Sequence, residues 1–390
     1  MESVVIIAAK RTAVGRLNGV LSSVRASDLS AALIAHLLKF KNIAADEIDQ
    51  VILGQTLTAG AGQNPARQAA IKAGIDVKTP AMIVNQLCGS GLRSVILAAQ
   101  QIMLGEAKIV VCGGQESMSQ SPHVMPLRVG KKFGDVEIKD TILVDALWDH
   151  FNDYHMGVTA ENLAEKYGIL REKQDHFALF SQEKAQKAIE KGIFKDEILP
   201  FEVKIRKEIK MIDQDEHPTF GTSLETLSKL RPAFKANGTV TAGNASGIND
   251  GAAILILMSE SEAKRRNLNP LAKIEAWGSA GVDPSLMGIA PVGAIKNALS
   301  SASWSLKELD ILELNEAFAA QALSVLKELE YDEQKVNPCG GAIALGHPIG
   351  ASGARILTTL IYALHREDQQ KGMASACIGG GMGIALAISR

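Results

Sequence analysis

Apolar and polar positions alternate along this chain in two rhythms. In the first, apolar residues recur every three or four positions, as from Ser27 to Phe40, Leu92 to Leu104, Pro291 to Ser301 and Ser352 to His365. That spacing puts them on one face of a helix. In the second, short continuous apolar runs occur at 48–54, 109–114, 309–315 and 374–381. Such runs predict strands covered on both faces. The opening run, Val4 to Ala9 before Lys10 and Arg11, reads as a first strand. It is too short to cross a membrane and lacks the basic-then-apolar order of a signal peptide.

The elements come in a repeating order. A helix and a strand lead to a glycine-rich segment, then another helix, then an apolar strand ending in glycines. The order occurs once around Cys88 and again, at a similar interval, around His347. Alternating strands and helices predict mostly parallel sheets covered by helices. Two similar halves would set Cys88 and His347 at corresponding positions. Between the halves, from about 118 to 248, the composition changes. Ser119 to Asp135 reads as a loop, helices follow at Thr159–Lys166 and Arg171–Lys191, and segments rich in Pro, Gly and Thr come next. A long insertion of this kind often covers a site in an α/β fold.

Length and composition narrow the function. With 390 residues, 46% hydrophobic and 22% charged, the chain is long enough for two or three domains with buried cores. Its 41 basic and 43 acidic residues leave a net charge of -2, so nothing points to nucleic acid. Aromatic residues are only 4% while glycines number 35, which fits close backbone packing around a small molecule better than stacking on bases. Four cysteines without regular spacing form neither a disulfide framework nor a zinc pattern, so no metal is expected. A reducing, cytoplasmic setting is expected, with thiols free for chemistry.

Four places carry that chemistry. Cys88 follows the apolar run 81–84 and precedes Gly89-Ser90-Gly91 and a helix. A thiol at a helix N-terminus is expected to ionise below the free value of ~8.5, and the glycines let backbone N–H groups approach an oxyanion. A small buried residue at a tight turn would look the same. His347, between Gly346 and Pro348, sits on irregular backbone that can aim an imidazole into a cleft as base or donor, or can simply cap a loop. Cys377 precedes Ile378 and three glycines, of which Gly379 and Gly380 could present N–H groups; a glycine-rich hairpin with an incidental thiol is the other reading. Asn315 and Glu316 end a strand, where polar groups serve either function or a helix cap. Cys112 and Cys339 read as structural. Neither G-x-G-x-x-G after a first strand nor a phosphate-binding G-x-x-x-x-G-K-S/T occurs.

Taken together, Arg11-Thr12, Asn85 to Gly91, Gly113 to Met118, Asn244 to Gly251, Asn315 to Phe318, Gly340 to Arg355 and Cys377 to Gly383 resemble, in order and over the whole chain, the thiolase family. The resemblance implies a five-layered α/β/α/β/α fold. Its halves would be 1–117 with 249–270 and 271–390, and 118–248 would be a loop domain over the coenzyme A site. It implies that Cys88 becomes the acyl-thioester while His347 accepts its proton. Cys377 would move the proton at the α-carbon of a second acyl-CoA. N–H groups of Cys88 and Gly379 would hold the thioester oxyanion, and His347 with a water on Asn315 the enolate oxygen.

The segment from Leu147 to Gly157 looks like the version in biosynthetic, acetoacetyl-CoA thiolases, with His155 and Met156 closing the acyl pocket. Ser246 would lie against the pantetheine, with Ala242, Ala317 and Phe318 nearby. Acetyl-CoA, acetoacetyl-CoA and CoA are the implied partners, with no permanently bound cofactor. A homotetramer built from tight dimers through the loop at 119–135 is also implied. Thr219 departs from the family pattern, which commonly has a basic residue there. A broad-range 3-ketoacyl-CoA thiolase, an acyl-carrier-protein-dependent condensing enzyme and a non-catalytic thiolase-like carrier are the competing readings.

Overall fold

The computed structural model describes residues 2–390. Nine principal strands form it: β1 Val4–Arg11, β2 Gln50–Gly54, β3 Ala81–Val84, β4 Ile109–Ser117, β5 Asn249–Ser259, β6 Ala272–Gly281, β7 Ile311–Leu314, β8 Lys371–Ile378 and β9 Met382–Ser389. The helices that position the site are α1 Ala26–Lys41, α2 Pro65–Lys72, α3 Ser90–Met103, α4 Met156–Tyr167, α5 Arg171–Glu190, α6 Ala290–Ala302, α7 Ala319–Leu329 and α8 Ile349–Arg366.

The strands lie in the order β7-β8-β9-β6-β1-β5-β4-β2-β3, and the short segment Gly15–Arg16 pairs with the start of β5. The two halves repeat each other. The first runs β3-β2-β4-β5-β1 from its outer edge, and the second runs β7-β8-β9-β6. A single parallel bridge from Val336 to Leu312 stands where the second half would have its own edge strand. The halves join where Val4–Ile6 of β1 pairs with Ala272–Ile274 of β6.

The expectation of mostly parallel sheets is corrected. Only β2–β3, β2–β4 and β7–β8 are parallel, each pair linked by a helical crossover. The other pairings, including β1–β5, β4–β5, β6–β9 and β8–β9, are antiparallel. Strand β5 enters after the long insertion, and β9 follows β8 directly through a hairpin. Apolar runs buried on both faces carry no mark of direction, so the sequence pattern could not distinguish these cases.

Three apolar cores make the five layers. Leu29, Leu33 and Leu37 of α1 and Ala66 and Ala69 of α2 cover one face of the first half, against Val51, Leu53 and Ile254. Ile295 of α6 and Leu323 and Leu326 of α7 cover the far face of the second half, against Leu312, Leu314 and Ala385. Between the halves, α3 (Leu92, Val95, Ile96) packs on α8 (Ile356, Leu357, Leu360) with Ile52, Leu255, Ala376 and Leu386 around them. This central position explains why α8 has no solvent face: all its residues from Ile349 to Ile361 are buried.

The two central helices meet at glycines. A Cβ added at Gly91 would stand 2.5 Å from the backbone nitrogen of Ala354, and one at Gly353 would stand 2.5 Å from that of Leu92. The backbones therefore touch at this crossing, at the second residue of α3 and the fifth of α8. Among the described residues, no helix is long and apolar enough to cross a membrane.

Candidate active site

Both central helices begin at the same end of the molecule, so the motifs before them face each other. Cys88 lies in a single turn, Leu87–Gly89, ahead of α3. Leu87 adopts φ 48°, a conformation costly for a residue with a side chain. Three short-range bonds hold it there. The Leu87 N–H donates to Asn85 Oδ1 at 3.0 Å, Ser90 Oγ donates to the Leu87 carbonyl at 2.7 Å, and the Gln86 N–H donates to Ser90 Oγ at 2.8 Å.

His347 precedes α8 and reaches Cys88. Its Nε2 lies 3.3 Å from Cys88 Sγ and its Nδ1 2.5 Å from Ser352 Oγ. The single hydroxyl hydrogen of Ser352 goes to the Pro348 carbonyl at 2.9 Å. Ser352 can therefore only accept from His347, which fixes the proton on Nδ1 and leaves Nε2 free to take one from the thiol. Burial first, and then the charge of Arg355, push the imidazole down to about 3, so it stands neutral.

Two further groups anchor this turn. The His347 N–H donates to Asn249 Oδ1 at 2.9 Å. Glu116, at the end of β4, accepts N–H bonds from Gly350 and Thr56 on one oxygen, at 2.8 and 2.9 Å, and from Leu57 on the other, at 3.2 Å. A carboxylate at the first turn of α8 suits the positive end of the helix dipole. Burial nonetheless pushes Glu116 up to about 7.

The expected lowering of the Cys88 thiol is corrected. Burial pushes it up to about 11, and the facing N–H groups of Gly379 and of Cys88 itself pull it back only in part. The short turn separates Cys88 from α3 proper, so desolvation outweighs the dipole. The thiol rests protonated and depends on His347.

Cys377 is the next-to-last residue of β8 and is fully buried. Its thiol is held well above the ordinary range by burial, and a charge on nearby Cys88 raises it further. A three-residue loop, Gly379 to Gly381, turns β8 into β9, with Gly380 and Gly381 at φ 84° and 83°. A Cβ on Gly379 would lie 2.8 Å from Leu87 Cδ1 and 3.9 Å from Met156 Sδ, so this loop presses against the Cys88 turn. All four cysteines are free.

Asn315 is fully buried, and neither its Oδ1 nor its Nδ2 has a hydrogen-bond partner. An amide with both ends open suits the holding of a water or a substrate oxygen. Glu316 points elsewhere. It accepts from Asn337 Nδ2 at 2.7 Å, Ser181 Oγ at 2.8 Å and the Ile343 N–H at 3.2 Å, which ties α5 to the segment before His347. Neither residue caps α7, whose N-cap is Phe318.

A cavity of about 210 Å³ opens onto His347. Leu147, His155, Ser246 and Phe318 line it, as do Met118, Phe234, Ile248 and Ile349, which the sequence did not single out. His155 accepts the Gly157 N–H on Nδ1 at 3.0 Å and stacks on Phe234, with ring centroids 4.5 Å apart. Phe234 in turn meets Phe318 edge-on at 6.1 Å. Ala317 is buried, and its carbonyl accepts the Ser246 N–H at 3.0 Å. Met156 is buried beneath Gly379, and Ala242 lies in an outer groove with Thr219.

Two further residues matter here, Ser352 and Asn249, which lie within glycine-rich stretches of the sequence but have no motif of their own. A hydroxyl at the start of a buried helix, five residues after the histidine, was the available signal for Ser352. Among the described residues, no group of three or more His, Cys, Asp or Glu is placed to hold a metal ion.

Along its length the chain is similar to known proteins. Residues 4–261 match the model of the thiolase N-terminal domain and 268–390 that of the thiolase C-terminal domain. The chain is 56% identical over 392 residues to an acetyl-CoA acetyltransferase of Pseudomonas aeruginosa, covering the whole of both chains. It is 54% identical, again over the whole of both, to an acetyl-CoA acetyltransferase of Cupriavidus necator. Among solved structures, the Bacillus anthracis acetyl-CoA acetyltransferase superposes with a TM-score of 0.98 at 45% identity, spanning all of this chain and 99% of that one. Human mitochondrial 3-ketoacyl-CoA thiolase superposes with a TM-score of 0.97, also at 45% identity and with the same coverage. With a paired thiol and imidazole at the meeting of two similar halves, and likeness along its full length, the chain belongs to the thiolase family.

Proposed function

We propose that this chain is an acetyl-CoA C-acetyltransferase, which joins two acetyl-CoA reversibly into acetoacetyl-CoA and CoA through an acetyl group on Cys88. The observation that carries the reading is the 3.3 Å contact of Cys88 Sγ with an imidazole whose other nitrogen is already held by Ser352. CoA thioesters are substrates in this reading, and no resident cofactor enters it.

Cys88 loses its proton to His347 Nε2 as its sulfur attacks the acetyl carbon, and the N–H groups of Cys88 and Gly379 receive the oxyanion. On collapse, the CoA thiolate leaves and takes the proton of Cys377. That exchange leaves a thiolate at Cys377 and an imidazolium at His347, a pair of opposite charges in a buried site. The Cys377 thiolate then removes the α-proton of a second acetyl-CoA, while imidazolium and the Asn315 amide, through a water, steady the enolate oxygen. The enolate carbon attacks the acetyl carbon, the Cys88 sulfur departs, and it recovers its proton from His347. Both thiols, held high in the resting state, thus lose their protons only as the reaction proceeds, Cys88 to act as nucleophile and Cys377 as base.

The cavity of about 210 Å³, walled by Leu147, His155 and Phe318, favours a short acyl group. The likeness to human mitochondrial 3-ketoacyl-CoA thiolase keeps a longer-chain specificity as the second reading. The segment 118–248 is the proposed cover of the CoA site, between halves 1–117 with 249–270 and 271–390. A cytoplasmic homotetramer of paired dimers completes the proposal. It is supported by Val129 and Phe133, 98% and 94% exposed on the loop between Ser119 and Lys139, with Met125 and Leu127 exposed beside them.

Acetyl-CoA labelled in its acetyl group tests the chemistry. Label should be recovered on the peptide containing Cys88, and thiolysis of acetoacetyl-CoA should outpace that of an eight-carbon 3-ketoacyl-CoA. Label on another residue sinks the mechanism, and faster cleavage of the longer substrate sinks the short-chain specificity.

A further inference from the structure

Through Ile248, which borders both spaces, the acyl cavity continues into an outer groove of about 580 Å³. Arg16, Gln182, His217, Thr219 and Thr222 line its polar side. Arg16 is the one residue of that lining with a permanent positive charge, since burial and the Arg16 charge push His217 down to about 4.

The Arg16 backbone is fixed on two sides. It pairs with Asn249 at the start of β5, and its N–H donates to Glu216 Oε2 at 2.8 Å. The same carboxylate oxygen also accepts the Val20 N–H at 3.1 Å. The side chain is exposed, and its Nη2 donates to the carbonyls of His217 at 3.0 Å and Pro218 at 3.4 Å and to Thr219 Oγ1 at 3.3 Å. These three acceptors are neutral oxygens. They aim the guanidinium along the groove without cancelling its charge, and one edge of its donor fork stays available. A planar fork of this kind matches the oxygens of a phosphate.

We propose that Arg16 is the phosphate-binding residue of this groove, holding the phosphorylated nucleotide end of a CoA thioester whose acyl end reaches Cys88. The assignment rests on the proposed function. The contact lies well away from the reacting carbon and is made equally in ground and transition states, so it governs KM more than kcat.

Arg16→Gln and Arg16→Lys test it in the full-length protein. Calorimetric titration with CoA and with pantetheine, which lacks every phosphate, reads binding without any turnover. Arg16→Gln should weaken CoA roughly 3- to 10-fold, the range between an exposed ion pair and a well-formed charge-assisted contact. Pantetheine should be unaffected, Arg16→Lys should recover part of the loss, and the difference should shrink as salt is raised. With acetoacetyl-CoA as substrate, KM should rise by a similar factor and kcat by comparison change little. Unchanged CoA binding overturns the assignment. An equal loss for CoA and pantetheine also overturns it, because Arg16 would then only brace the 217–219 loop. Failure of the acetyltransferase reading would show instead as absent turnover in the wild-type chain while these binding differences remain readable.

Discussion

Replacing Ser352 by alanine removes one oxygen atom and tests the tautomer argument directly. In the intact site the Ser352 hydroxyl gives its proton to Pro348 and accepts the Nδ1–H of His347 at 2.5 Å. Without it, the buried Nδ1–H has no partner, which costs ~1–3 kcal/mol. The ring escapes that cost by moving its proton to Nε2, where it faces Cys88 as a donor and no longer serves as a base. At about 1.36 kcal/mol per tenfold, the shift lowers the rate by roughly 5- to 150-fold. That is less than the ~10²–10⁴ expected for losing a general base altogether, because a minority of rings keep the productive form. His347 acts in both halves of the reaction, so Ser352→Ala should slow acetyl exchange between acetyl-CoA and CoA as much as it slows condensation. Ser352→Thr, which restores a hydroxyl, should recover much of the rate. A Ser352→Ala enzyme within twofold of wild type, or one impaired in condensation alone, would refute the reasoning.

Three other outcomes are expected. Cys377→Ala should lose condensation by ~10²–10⁴ while a clear burst of Cys88 acetylation remains, and equal loss of both steps would contradict the roles given to the two thiols. Glu116 has a folded-state pKa raised to about 7 against an ordinary 4.5, so the folded state binds its proton more tightly and stability falls as pH rises between those values. In thermal melts from pH 4.5 to 8, wild type should therefore lose stability relative to Glu116→Gln, and a flat or rising difference would show that burial does not dominate there. Sedimentation at micromolar concentration should give a tetramer, with Phe133→Asp reducing it to a smaller species; a wild-type monomer would remove the role assigned to the exposed loop.

Much of the fold was legible because its elements carry strong periodicity. The pattern from Leu92 to Leu104 appears as α3, Ser90–Met103, and that from Ser352 to His365 lies inside α8, Ile349–Arg366. The duplication was visible as an order of elements. Strand direction was not visible, since Ile384, Leu386 and Ile388 of β9 face one core and Ala385 and Ala387 the other, leaving no polar face to read. In the site, Cys88, His347 and Cys377 stood out because turns and glycines surround them. Ser352 and Arg16 did not, since an accepting hydroxyl and a guanidinium over a groove take their meaning from partners remote in sequence. The thiol's ionisation was misjudged for a similar reason: the dipole is local, whereas the desolvation that outweighs it comes from the whole fold.

The glycine contact between the central helices sets a tolerance for the machine as a whole. Cys88 and His347 are 259 positions apart along the chain and belong to opposite halves, and at 3.3 Å their sulfur and nitrogen are within reach for passing a proton. With backbone against backbone at Gly91 and Gly353, the thickness of the central layer is the gauge that sets that gap. Parting the halves by a single ångström would leave every helix and strand intact and still disconnect acid from base. The catalytic pair thus works as a caliper across the molecule, sensing a loosening of the crossing well before the secondary structure melts.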